Sequence, residues 1–229
     1  MAEIQSESTK VLKSDNLYEL TTENADGSGI AQVFTVPVKY KDSKGDIKFI
    51  YTSMVTVSNT KNSPTAYTYQ NAANSFQVRY AARSEAGFQM NQDFTLEFNT
   101  ETGSVNGNLM SGEDGEDLIR YSRALCDNTY AELSNTNTGV KQTIVLEEKP
   151  LSNQFSFTFT SKTHNPTVEP DTGAIVISQN EKPDETLYIL YPFYAYDSYT
   201  RVAHEDSSSD FRHFNEESRY SVTKTTEDV

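Results

Sequence analysis

Glu113, Asp114, Glu116 and Asp117 crowd around Gly115 in the run "SGEDGED". Oxygen ligands on a turn with a flexible glycine are what Ca²⁺ requires. The run does not fit the EF-hand frame, and acidic runs ordinarily form solvated loops. "NADGSG" sets Asn24 and Asp26 beside two glycines as a second, smaller oxygen cluster. Two acids could also serve as a glycosidase pair, but that chemistry depends on a separation in space that spacing in sequence does not supply. The expectation is no obligatory cofactor, with Ca²⁺ as the one candidate ion.

A second candidate is aromatic. "TLYILYPFYAYDSYT" carries Tyr188, Tyr191, Tyr194, Tyr196 and Tyr199, more rings than one strand needs for its core. Outward-facing tyrosines offer area with a polar tip, to a sugar ring or to a protein partner. Tyr191, Tyr194 and Tyr196 are the candidate ligand-binding residues. Strands also accept Tyr readily for packing alone, and the chain contains no Trp to strengthen a sugar platform.

Other chemistry has little to stand on. His164, His204 and His213 fall in no zinc-ligand frame and read as loop histidines. Cys126 is alone, so it forms no internal disulfide and reads as a structural thiol. There is no G-x-S-x-G, no phosphate-cradling glycine loop and no dinucleotide fingerprint, so no catalytic residue is assigned and a non-enzyme is expected. Lys39, Lys41 and Lys48 with Asn74 could supply a Lys–Asn isopeptide bond, although nothing in their spacing selects a pair.

These residues must be positioned by strands. In "VKQTIVLEEKPLSNQFSFTFTSK", Phe155, Phe157 and Phe159 alternate with Ser156, Thr158 and Thr160, the period of a strand with one buried face. The two ribbons within 140–162 are expected to be neighbouring strands joined at "EEKPLSN", with the phenylalanines toward the core. Phe34, Val36, Val38 and Tyr40 make another such face, as do Ile47, Phe49 and Tyr51, with "DSKGD" between them as a hairpin turn. Phe76, Val78 and Tyr80 repeat the pattern, then Phe94, Leu96 and Phe98, "TGAIVIS", and Tyr220 with Val222 near the end. Only 113–126 carries helical spacing, through Leu118, Tyr121 and Leu125, enough for one or two turns. The expected fold is therefore all-β, an antiparallel β-sandwich of two packed sheets, large or double, with little helix. A flexible segment 1–16, a sandwich module 17–203 with a subdivision near 112–136, and a polar linker 204–229 make up the expected organisation.

Composition agrees. Mean hydropathy is −0.64, yet 14 Tyr and 12 Phe among 229 residues supply a core. Against 33 Asp and Glu stand 19 Lys and Arg, a formal charge of −14, which repels phosphate backbones and anionic membranes. Nucleic acid is excluded as a partner on that ground. No apolar stretch is long enough to span a bilayer. The opening "MAEIQSESTK" lacks a signal-peptide pattern, which suits either a protein that is not exported or an excised piece with its own start Met.

Several segments, in order, are similar to a known group. "FTVPVKYKDSKGDIKFIYTSM" (34–54) resembles the "PVKYKD" opening of large bacterial exported proteins, and "YQNAANSFQVRYA" (69–81) their "N-x-A-N-x-F-x-V" strand. "NTGVKQTIVLEEKPLSNQFSFTFTSKTHNPTVEPDTGAIVI" (137–177) resembles their "GNGVKE" block, and "PFYAYDS" (192–198) the segment that closes it. The family is the β-rich N-terminal module of Rhs-like, YD-repeat wall-associated proteins and their DNRLRE-domain relatives. Ile47 stands where that family has Trp, and Tyr51 where it has Asp. The resemblance implies a secreted or cell-surface location and a non-catalytic structural or docking role. Its partners would be other domains of the same large polypeptide or a surface partner, with glycan or cell-wall binding as the alternative role.

Overall fold

The computed structural model describes residues 10–57, 67–82, 87–99, 105–152, 154–193 and 221–223. In chain order the strands are β1 (Lys10–Val11), β2 (Glu19–Glu23), β3 (Gly29–Val33), β4 (Lys39–Lys41), β5 (Ile47–Phe49) and β6 (Tyr51–Thr56). Next come β7 (Tyr67–Ala73), β8 (Val78–Ala81), β9 (Gly87–Met90), β10 (Phe94–Phe98), β11 (Gly107–Ser111) and β12 (Asp117–Ser122). The last are β13 (Thr129–Asn135), β14 (Val140–Leu146), β15 (Phe157–Thr160), β16 (His164–Val168), β17 (Ile175–Gln179) and β18 (Lys182–Leu190). The protein is all-β and sandwich-like, with five antiparallel sheets and no helix among the described residues.

The chain divides into two compact units, one ending at Thr160 and the other starting at Ser161. The expected subdivision near 112–136 falls inside the first unit. There, a six-stranded sheet runs β15-β10-β9-β8-β7-β6 and a four-stranded sheet runs β11-β12-β13-β14. Two smaller sheets, β1-β2-β3 and β4-β5, complete the unit. The strand β1, Lys10–Val11, lies in the segment 1–16 expected to be flexible and pairs with β2 beyond it.

Alternation decides which faces meet. Val78 and Tyr80 on β8, Phe94 and Phe98 on β10, Ile119 and Tyr121 on β12, and Ala131 and Leu133 on β13 are all buried. Phe98 of the six-stranded sheet lies 5.9 Å, ring to ring, from Tyr121 of the four-stranded one. The core therefore sits between these two sheets, and interleaved aromatics supply much of its apolar area. The "DSKGD" hairpin forms as expected. Asp42 Oδ1 accepts the backbone N–H groups of Lys44 and Asp46 at 2.9 and 3.0 Å, and Gly45 takes φ +86°.

Three expectations are corrected. The segment 113–126 is not helical. A turn between Gly112 and Glu116, with Gly115 at φ +80°, feeds β12, where Ile119 and Tyr121 define the buried face at period two. Helical spacing of Leu118, Tyr121 and Leu125 loses to that period once two strands flank it.

The ribbons of 140–162 are not neighbours. The strand β14 pairs with β13, whereas β15 crosses to the six-stranded sheet and pairs with β10. The long connection through Pro150 permits the crossing, and the aromatic face finds its partners there. Phe159 stacks on Phe94 at 5.0 Å and Phe157 packs on Phe98 at 5.4 Å. The alternation itself holds, with Phe155, Phe157 and Phe159 half-buried and Ser156, Thr158 and Thr160 exposed.

Last, only Lys39–Lys41 of the 34–40 ribbon is strand. Pro37 has no N–H for a ladder, and the Val38 N–H goes instead to the Leu17 carbonyl at 2.9 Å.

The second unit is a meander, β16-β17-β18. Among the described residues of this unit, Ala174, Ile177, Ser178 and His164 are buried. The "TGAIVIS" strand appears as β17. Ser221–Thr223 carry no strand, and the remainder of the expected linker lies outside the described residues.

Candidate functional site

The acidic turn binds itself and its neighbour. The Gly112 N–H donates to the Glu116 carbonyl at 2.7 Å, and Glu116 Oε2 accepts the Asp114 N–H at 3.2 Å. Asp117 does something else. Its Oδ2 accepts the Met54 backbone N–H at 2.8 Å, reaching from the four-stranded sheet to the six-stranded one. Glu113 and Asp114 remain exposed. The four carboxylates thus do not converge, and among the described residues no three His, Cys, Asp or Glu side chains are grouped to hold a metal ion. The smaller cluster is likewise internal to its hairpin. Asp26 accepts the Ser28 hydroxyl at 2.6 Å and the Ser28 N–H at 2.8 Å, and those bonds hold its carboxyl below the usual carboxylate range.

Of the aromatic candidates, Tyr191 follows β18 with 75% of its surface exposed. Tyr194 and Tyr196 lie outside the described residues, as do Tyr199, His204 and His213. His164 is buried, contrary to a loop histidine. Its Nδ1 faces the Thr163 hydroxyl at 2.9 Å, and its ring meets Tyr188 edge-on at 6.2 Å. Cys126 is half-buried in the loop between β12 and β13, its carbonyl accepting the Thr129 hydroxyl at 2.7 Å. Lys39 Nζ donates to the Ser14 carbonyl, Lys48 pairs with Asp42, and Asn74 Nδ2 donates to the Asn137 carbonyl at 3.1 Å.

A concavity of about 430 Å³ opens beside that β12–β13 loop, lined in part by Arg120, Arg123, Asp127 and Tyr130. Its charges neutralise one another. Arg120 is paired with Glu132 at 2.5 Å and lies over the Tyr130 ring at 4.5 Å, while Arg123 is paired with Asp127.

The most developed polar arrangement is a joint between sheets. A register shift in β6 between Tyr51 and Met54 takes its backbone out of the ladder with β7. Two groups there find side-chain partners on the four-stranded sheet. The Met54 N–H goes to Asp117 on β12, and the Thr52 carbonyl accepts Asn135 Nδ2 of β13 at 2.9 Å. Asn135 Oδ1 in turn accepts the Tyr80 hydroxyl at 2.5 Å. Beside it, the Tyr121 hydroxyl donates to the Ala81 carbonyl at 2.7 Å. Buried backbone groups need such partners, and a bulge creates the need. The signal in sequence was a polar residue on a core-facing register: Asn135 continues the Ala131, Leu133 side of "TYAELSN".

Burial raises the Tyr80 phenol well above its ordinary range, with the Tyr121 phenol adding to the effect. Burial raises Tyr121 likewise, against a hydrogen bond to Gly87. The sign for stability follows directly. Above about pH 10 the unfolded chain releases these two protons and the folded chain keeps them. Their contribution is complete below that pH and falls by roughly 1.4 kcal/mol per tyrosine per pH unit above it. An alkaline titration followed by tyrosinate absorbance should show Tyr80 and Tyr121 ionising only as the fold is lost. Titration of both before unfolding contradicts this.

Comparison with known proteins finds no matching family model, no matching curated protein and no matching solved structure. What the fold and its polar joints define is a class, an all-β sandwich-like module.

Proposed function

We propose that this chain is a non-catalytic structural and docking module of a bacterial secreted or cell-surface protein of the Rhs-like kind. The observation that supports it most is the bulge joint. Asp117, Asn135 and Tyr80, three polar side chains of the core, are buried or half-buried and hold one sheet to another. The sequence resemblance supports the same reading. Among the described residues the outer edge of β3 pairs with no strand, and every residue of β3 is exposed, Ile30 at 56% and Val33 at 76%. An open strand edge of that kind accepts a strand from a neighbouring domain of the same polypeptide.

Hydrogen exchange on a longer polypeptide carrying the flanking domains tests the reading. Amides of Gly29–Val33 should be slower there than in the isolated chain. Equal exchange in the two, or turnover of glycoside, ester or peptide substrates by the isolated chain, contradicts it.

The 75% exposure of Tyr191 favours a second reading, a carbohydrate- or cell-wall-binding module. Retention on a peptidoglycan and glycan panel, with and without Ca²⁺, should then fall about tenfold in Tyr191→Ala, the loss of one aromatic anchor. Unchanged retention removes Tyr191 from that role.

A further inference from the structure

Asn106–Gly107 leads into β11 and is the one place in the chain where glycine follows asparagine. With no Cβ on the second residue, little shields the asparagine carboxamide from the next backbone nitrogen. In a free chain that nitrogen, as its amide anion, attacks the Asn106 Cγ. The new N–Cγ bond closes a succinimide, and the side-chain nitrogen leaves as ammonia. Water then opens the ring. Hydrolysis at Cγ leaves aspartate, whereas hydrolysis at the backbone carbonyl leaves isoaspartate, in which the chain runs through Cβ and is one atom longer.

The fold withholds this reaction. The Gly107 N–H donates to the Ala82 carbonyl at 3.1 Å, so the nucleophile is engaged. Gly107 is buried and paired with Tyr121. A Cβ placed on it would lie 2.7 Å from a Tyr121 ring atom, 2.8 Å from Ile119 and 2.9 Å from the Ala81 carbonyl oxygen. That packing leaves the Gly107 backbone no slack to swing its nitrogen onto Asn106. The strand itself sits at an edge, for among the described residues β11 pairs with β12 alone. Edge elements open locally at less cost than the whole fold. Two anchors flank the reactive residue, Val105 at 6% exposure and buried Gly107, with Asn106 exposed between them.

We propose that Asn106 is a strand-gated modification site: it deamidates when β11 opens, and isoaspartate there keeps β11 from closing again. A chain one atom longer at this point seats both anchors only if Val105 or Gly107 shifts, and Gly107 has no space to do so. Opening of the edge is thereby recorded as a one-way covalent change that also adds a negative charge. The site shares no residue with β3 or Tyr191 and does not depend on the docking role.

The test is peptide mapping of the 229-residue chain aged at mildly alkaline pH, in buffer and in guanidinium chloride beyond its unfolding midpoint. Deamidation at Asn106 is read as a gain of about 1 Da, and isoaspartate by enzymatic methylation of its free α-carboxylate. Conversion should be at least about tenfold faster in denaturant, the factor set by the cost of opening β11. Chain carrying isoaspartate, returned to buffer, should unfold at a lower midpoint than the parent and show faster amide exchange in β11. Asn106→Asp places the same charge on an ordinary backbone and should match the parent in both. Equal conversion in buffer and denaturant, an isoaspartyl chain with the parent's midpoint and exchange, or an Asn106→Asp variant as destabilised as the isoaspartyl chain each overturn the proposal. The last would show that charge, not chain length, acts on β11.

Discussion

Asn135→Ala should be among the most destabilising polar substitutions in the protein. The amide satisfies two groups at once, accepting from the Tyr80 hydroxyl at 2.5 Å and donating to the Thr52 carbonyl at 2.9 Å. Asn135 is 8% exposed and Tyr80 fully buried, so water does not easily replace it. Each orphaned group costs about 1–3 kcal/mol, and the substitution orphans both. Tyr80→Phe orphans only Asn135 Oδ1 and should cost about 1–3 kcal/mol, on the same principle. The double variant should then be less damaged than the sum of the singles by at least about 1 kcal/mol, because the pair is in direct contact. Urea denaturation followed by circular dichroism measures all three. Strict additivity would mean that the two side chains do not act as one joint.

That joint marks the limit of what the sequence discloses. Alternation in Phe94, Leu96 and Phe98, and in Phe155, Phe157 and Phe159, was enough to name strands and their buried faces, because a period of two is a local property. The "DSKGD" turn was legible for the same reason, its Asp and Gly supplying hydrogen bonds and a positive φ within a few residues. Sheet membership was not legible. The strand β15 follows β14 in the chain but pairs with β10, a choice made by the aromatic surface of Phe94 and Phe98 and not by anything near the connection. The acidic run was visible as a cluster, yet the role of Asp117 depended on a bulge in β6, 63 residues away along the chain.

Gly87→Ala should prevent the six-stranded sheet from forming in its native register. Gly87 opens β9 with φ +154°, a backbone conformation that L side chains rarely adopt. A Cβ added there would overlap the Leu96 carbonyl oxygen and come within 2.8 Å of Glu97 Cα and 3.0 Å of Leu96 C. Those atoms belong to the backbone of β10, the strand to which β9 is hydrogen-bonded, so no rotamer change relieves the overlap. Relief requires β9 and β10 to separate, and the Gly87 carbonyl that accepts from the Tyr121 hydroxyl would move with them. Overpacking of 1–3 kcal/mol and backbone strain of similar size combine here, a loss of about 3 kcal/mol or more. Gly139→Ala is the matched control. Nothing lies within 4 Å of a Cβ at Gly139 and no positive φ is required there, so it should be neutral or slightly stabilising by restricting the unfolded chain. Gly87→Ala should therefore be recovered unfolded or with a much lowered midpoint, while Gly139→Ala unfolds with the parent. Comparable midpoints for the two would show that β9 and β10 do not approach each other as closely as their pairing requires.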